Sequence, residues 1–253
     1  MSLLERILEQ KRSELPGLRR ARLPAPPTRP PISLRRAPGA PLHLICEIKK
    51  RSPSAGPLDL TLSVSERARV YAQGGASMLS VLCDQVFFDG GFADLLAARE
   101  GTSLPLLAKE FIIDESQLDH AAAYGASAAL LIVRCLEGDS LPRLVAAAKS
   151  RGLTALVEVT TEEESARALD AGATHIGVNA RDLDTLVMDA SRAERVLRAL
   201  PPEVVVAHFS GIRDAAGVTQ VASGPAHAAL IGEALMRRSD PLPLLQELRS
   251  AAR

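Results

Sequence analysis

Six residues whose side chains can move protons or hold anions stand at the ends of apolar runs. Glu47 and Lys49 close "HLICEIK" (43–49), Lys109 is near the end of "LPLLAKEF" (104–111), Glu158 of "TALVEV" (154–159), and Asn179 with Arg181 ends or follows "HIGVN" (175–179). An extended chain points alternate side chains to opposite faces, so Glu47 and Lys49 share one face. Two ammonium groups and two carboxylates gathered at one place supply acids, bases and anion ligands for a proton-transfer reaction. The competing reading is a rim of salt bridges. Ionisable groups at several separate strand ends weigh against it, because burying charge is costly unless a function uses it.

Two later runs end in small residues instead. "FSGIRD" (209–214) and "IGEALM" (231–236) place Ser210, Gly211 and Gly232 where backbone N–H groups can come close to a phosphate; two ordinary tight turns are the plain alternative. Just after the first run, Pro53, Gly56 and Pro57 break the chain into a loop able to close over a ligand.

Such groups need a frame that brings strand ends together. Short apolar runs recur at 44–49, 77–83, 104–111, 128–133, 154–159, 175–179, 203–209 and 228–233, separated by stretches of helical periodicity. Four of the helical stretches open on a capping residue, Ser63, Asp114, Thr161 and Asp189, with acid nearby in the first turn. Gly75, Gly125, Gly172 and Gly224 recur about every fifty residues, each at an expected left-handed helix end before an even-numbered strand. Eight strand–helix units fit an α/β (β/α)8 TIM barrel, in which chemistry sits at the C-terminal ends of the strands. An open Rossmann-like sheet is second, since no G-x-G-x-x-G follows the first strand. Ahead of the barrel, Leu3, Leu4, Ile7 and Leu8 mark an additional N-terminal helix expected to end before Pro16. The expected division is residues 1–43, helix plus a Pro-rich basic arm that runs as a solvated strap, and 44–253, the barrel catalytic domain.

Composition narrows the partners. Thirty basic and thirty acidic residues cancel (Lys+Arg 30, Asp+Glu 30), leaving no overall field toward nucleic acid or an anionic membrane. No apolar stretch is long enough to span a bilayer, and Glu5 and Glu9 interrupt the N-terminal apolar pattern, which is not that of a signal peptide. Cys46, Cys83 and Cys135 are widely spaced in apolar runs, as reduced core thiols are, and the five histidines form no metal-binding pair. A cytoplasmic protein with no metal site is expected.

With these residues in place, the sequence resembles the indole-3-glycerol phosphate synthase family of tryptophan biosynthesis. The matching stretches are "EIKKRSPSAG" (47–56), "SVLCDQVFFDGGFADL" (80–95), "LLAKEFIID" (106–114), "LVEVTTEEESARALDAGATHIGVNARDL" (156–183), "SGI" (210–212) and "IGEALM" (231–236). The resemblance implies a decarboxylating lyase that closes and dehydrates 1-(2-carboxyphenylamino)-1-deoxyribulose 5-phosphate to indole-3-glycerol phosphate without a metal or organic cofactor. It implies Lys109 as the first acid, Glu158 as a proton-transfer partner, and Lys49, oriented by Glu47, as carboxylate or phosphate ligand and second acid. Asn179 and Ser210 complete the catalytic set. Ser52, Phe88, Phe111, Leu130 or Leu131, Arg181 and Leu183 would hold the rest of the substrate, and Gly211, Ile231, Gly232 and Glu233, with Lys49, its phosphate. The implied partner is this small phosphorylated molecule; a monomer is expected, with association with other tryptophan-pathway enzymes left open. Neighbouring ammonium groups are expected to lower each other's pKa, with Glu47 limiting the effect.

The chain departs from the family pattern at two places. Family members read "VAESGI" at the seventh strand and this chain reads "VAHFSGI", so either Phe209 or His208 takes the place of a carboxylate. Ala55 stands where a lysine is common. Two alternatives are a phosphoribosylanthranilate isomerase-like barrel, for which Cys46 would be the base, and a phosphate-binding barrel that has lost catalysis.

Overall fold

The computed structural model describes residues 1–53 and 56–253; Ala55 lies outside the described residues. Eight strands form one closed parallel barrel: β1 (His43–Ile48), β2 (Met78–Leu82), β3 (Leu106–Lys109), β4 (Ala128–Ile132), β5 (Thr154–Val159), β6 (His175–Asn179), β7 (Val205–Phe209) and β8 (Ala228–Ile231). Each pairs with its sequence neighbours, and β8 closes the ring on β1. The open-sheet alternative is thereby excluded. The third run begins two residues late because Pro105 has no N–H for the ladder. The eighth ends early because Glu233 starts a one-turn helix.

The helices are α1 (Leu3–Arg20), α2 (Val64–Gln73), α3 (Phe92–Gly101), α4 (Glu115–Ala123), α5 (Ser140–Ser150), α6 (Glu162–Asp170), α7 (Ala190–Ala199), α8 (Ala215–Ala222), α9 (Glu233–Met236) and α10 (Leu242–Ala251). Ser63, Asp114, Thr161 and Asp189 all cap as expected, each side chain accepting a first-turn N–H. Gly75, Gly125 and Gly172 are left-handed, with φ of 88°, 93° and 79°. Gly224 is not, because Pro225 follows it and the residue before a proline is steered toward extended backbone.

Two expectations for the N-terminal region are corrected. Helix α1 runs through Pro16 to Arg20. The turn after the proline is anchored from outside: Leu18 O accepts from His120 Nε2 at 3.1 Å, and Arg19 pairs with Asp114 at 2.6 Å. Nor is the basic arm a solvated strap along its length. Arg29 donates to Arg151 O (2.8 Å) and Ala126 O (3.3 Å), Arg35 to Pro202 O and Glu203 O, and Arg36 to Ala222 O (2.9 Å). Leu34 is buried. These carbonyls precede β4, β5, β7 and β8, so the arm ties the loops at the N-terminal end of the barrel and leaves the C-terminal end open.

Candidate active site

The strand ends at that open face surround a cavity of about 670 Å³. Glu47 and Glu158 lie at its base, 3% and 2% exposed, where a carboxylate needs a partner. Glu47 Oε1 has Lys49 Nζ at 2.8 Å, and Oε2 is buried without a hydrogen-bond partner among the described residues. Glu158 Oε2 has Lys109 Nζ at 3.4 Å, while Oε1 accepts from Asn179 Nδ2 at 2.9 Å. Asn179 Oδ1 in turn accepts from Arg181 N at 3.0 Å. Glu158 is therefore oriented from both sides, and each lysine is paired with one carboxylate.

Lys109 departs from expectation. Burial pushes its pKa down, but Glu158 and Glu47 outweigh that and hold it above the ordinary lysine value. Each of the two ammonium groups is matched to a carboxylate, Lys49 to Glu47 and Lys109 to Glu158. Lys109 Nζ also sits 5.2 Å from the centroid of the Phe209 ring, within the range of a cation–π contact.

Phe209 decides the question left open at the seventh strand. It is paired with Asn179 across β6 and β7 and lines the cavity; His208 does not, and its Nε2 contacts Ser210 O at 3.0 Å. At the end of the seventh strand it is therefore the aromatic ring, and not the imidazole, that faces the cavity. Gly177 makes room for it, since a Cβ there would be 2.6 Å from the ring's Cε2 and Cζ.

One wall is apolar. Phe88 and Phe111, whose centroids are 6.1 Å apart, line it with Leu130 and Leu183. Leu131 does not belong to it. Leu130 and Ile132 line the cavity, and the residue between them on the strand points to the other face, where it is fully buried. The same alternation removes the Ile231 side chain, which lies between the lining residues Leu230 and Gly232. Cys46, between inward Glu47 and Ile45, is likewise fully buried outside the lining, and burial pushes its thiol up. A cysteine base of the isomerase kind is thus not at this site.

On the other side, Ser210 and Gly211 turn with φ of 70° and 88°, and Gly232 caps α9. Gly232 has no room for a side chain, because a Cβ would collide with the Glu47 carboxylate. Ser52 and Glu233 also line the cavity. Among the described residues no group of three or more His, Cys, Asp or Glu is placed to hold a metal ion. The three cysteines are free and buried, and no described helix is long and apolar enough to cross a membrane.

Some lining residues escaped the sequence reading. Arg213, Arg237 and Arg238 follow β7 and β8 and add positive charge at the rim; their position after late strands was the available signal. Leu3, Leu4 and Ile7 of α1 roof the cavity. Their helical spacing showed an apolar face but not which end of the barrel it covers.

The profile described as "Indole-3-glycerol phosphate synthase" matches residues 4–248. Proteins of that name from Exiguobacterium sp. and Rhodococcus jostii are 40% and 39% identical to this chain, covering 100% and 99% of it and 98% and 96% of themselves. The one from Streptomyces griseus is 40% identical over 99% of this chain and 96% of its own. Among solved structures, 3-hexulose-6-phosphate synthase from Salmonella typhimurium aligns with a TM-score of 0.67 at 16% identity, covering 83% of this chain and 98% of that one. Thiamine phosphate pyrophosphorylase from Pyrococcus furiosus aligns at 0.63 and 18%, covering 83% and 95%. Those two likenesses are of fold alone. With its profile match over residues 4–248 and relatives about 40% identical along nearly its whole length, this chain belongs to the indole-3-glycerol phosphate synthase family.

Proposed function

We propose that the protein converts 1-(2-carboxyphenylamino)-1-deoxyribulose 5-phosphate to indole-3-glycerol phosphate in tryptophan biosynthesis. The substrate carries a phosphate at one end, a carboxylated aromatic ring at the other and a ketone between them. The observation that carries the reading is one cavity with the complementary groups in the same series: the Ser210–Gly211 and Gly232 turns, the paired lysines, and the Phe88–Phe111 wall.

The ring carbon bearing the carboxylate attacks the ketone carbon, and Lys109, held charged by Glu158 and Glu47, protonates the oxygen as it becomes a hydroxyl. Carbon dioxide leaves, and the electron pair of its bond restores the aromatic ring. The hydroxyl then departs as water with a proton from Lys49, while Glu158, oriented by Asn179, takes the proton lost from the neighbouring carbon. Glu47 orients Lys49. Arg181 and Lys49 bind the substrate carboxylate and hydroxyls, and Ser52 belongs to the closing loop. Ser210, Gly211, Gly232 and Glu233, with the main chain at Ile231, hold the phosphate. Phe88, Phe111, Leu130 and Leu183 wall the ring. We place the enzyme in the cytoplasm, where its three buried thiols stay reduced.

The test is steady-state turnover of this substrate by purified protein in a chelator-containing buffer, followed by fluorescence of the indole product. Turnover supports the reading. Folded protein that binds the substrate and forms no product refutes it, and points to the carboxylate missing at Phe209.

A further inference from the structure

A second set of buried charges lies against the aromatic wall, with Glu110 among the residues that line the cavity, and the reaction above uses none of it. Lys11 is 2% exposed, on a helix outside the barrel. Its Nζ is 2.8 Å from Asp84 Oδ2, 3.1 Å from Glu110 Oε1 and 2.8 Å from Glu14 Oε2. Asp84 and Glu110 are 0% and 2% exposed. Carboxylates so deeply buried need both a counter-charge and hydrogen bonds, and their hydrogen bonds go to the wall. Asp84 Oδ1 accepts from Phe87 N at 2.6 Å and Phe88 N at 3.2 Å, and Glu110 Oε1 accepts from Phe111 N at 2.8 Å.

We propose that Lys11 is a positioning residue for ring closure: by neutralising Asp84 and Glu110 it fixes the backbone of Phe88 and Phe111, and so sets the slot that receives the substrate's aromatic ring. The proposal rests on the functional reading above for the identity of that ring. Two observations favour a role beyond holding α1 down. Two of the three carboxylates that Lys11 meets, Asp84 and Glu110, each fix one member of the aromatic pair, and α1 itself places Leu4 and Ile7 in the same cavity. Burial pushes the Glu110 carboxyl up to about 7 even with Lys11 beside it. Without Lys11, two carboxylates would share a buried site with no cation, which would push the Glu110 carboxyl higher still and loosen its hold on Phe111 N.

The test compares wild type, Lys11→Met and the triple variant Lys11→Met/Asp84→Asn/Glu110→Gln. In the triple variant each amide keeps an oxygen for the phenylalanine N–H groups and no charge is buried. Turnover is measured with anthranilate, a probe of the ring slot, and inorganic phosphate, a probe of the opposite end, as competitive inhibitors. Lys11→Met should raise KM and the anthranilate inhibition constant about tenfold, with a smaller fall in kcat and the phosphate constant changed by less than about twofold. The triple variant should restore the anthranilate constant to within about threefold of wild type. Equal weakening of both inhibitors by Lys11→Met, or none of anthranilate, overturns the proposal. If Lys11→Met does not fold, the triple variant decides: retained anthranilate inhibition supports the role, and its selective loss refutes it. Wild type without turnover would instead strike at the functional reading, whereas normal wild-type turnover beside an unaltered Lys11→Met strikes only at Lys11.

Discussion

Gly177→Ala is the substitution whose cost this site makes easiest to work out. The added methyl would lie 2.6 Å from two carbons of the Phe209 ring, whereas carbon atoms in contact rest about 3.5–4.0 Å apart. One of them must give by about 1 Å. The ring is 1% exposed and has Lys109 Nζ 5.2 Å from its centroid, so a shift of the ring disturbs its contact with the ammonium. Overpacking of this kind costs about 1–3 kcal/mol. At about 2–4 °C per kcal/mol for a chain of this size, Tm should fall by about 2–12 °C. Phe209→Leu supplies the control: a smaller side chain vacates the space, so adding Gly177→Ala to it should cost little. Thermal unfolding of the two single variants and the double should give a coupling energy of about 1–3 kcal/mol. Additivity within about 0.5 kcal/mol would show that the ring and the glycine are not matched as described. Phe209→Leu alone also removes a contact that favours the charged lysine, so the alkaline limb of kcat/KM should move to lower pH; an unmoved limb would remove Phe209 from any part in tuning Lys109.

Three further outcomes are expected. Lys109→Ala should lower kcat by about 10²–10⁴-fold, the usual contribution of a positioned acid, and an unchanged kcat would remove it from the chemistry. Gly232→Ala should displace the Glu47 carboxylate and disturb its 2.8 Å pair with Lys49; steady-state kinetics should show KM rising by about tenfold with a smaller change in kcat, and a KM within about twofold of wild type would count against the crowding. Asp114 both caps α4 and pairs with Arg19, and its hydrogen bond from Arg19 holds its carboxyl down to about 2. A lowered folded-state value contributes stability that is present above the ordinary value and lost as pH falls through about 2. Asp114→Ala should therefore destabilise by about 0.5–2 kcal/mol at neutral pH, and by less at pH near 2. Denaturant unfolding with the same difference at both pH values would contradict the linkage.

Local signals carried far in this chain. The caps Ser63, Asp114, Thr161 and Asp189 were legible because capping depends on one side chain and the next few N–H groups. Glu47, Lys109, Glu158 and Asn179 were legible as a set because a charged or strongly polar side chain at the end of an apolar run is unusual, and the barrel topology then sends every such end to one mouth. Leu130 and Leu131 could not be told apart, since strands buried on both faces are apolar at every position and lose their alternation. Pro16 misled because its local preference to end a helix is real, while the contacts that hold the turn beyond it come from residues about a hundred positions away.

The sequence by itself determined the eight-unit barrel, the family and the inventory of acids, bases and small turns at the strand ends, because these rest on short-range periodicity and on residue types. Only the tertiary structure decided which partner each charge meets. It put Glu158 and Glu47 close enough to raise Lys109 rather than leave it lowered by burial, turned Phe209 and not His208 inward, bound the basic arm to the barrel floor, and brought Lys11 to Asp84 and Glu110 against the aromatic wall. Electrostatic energies depend on distance and on the water excluded between groups, and residues far apart in the chain acquire both only when the barrel closes.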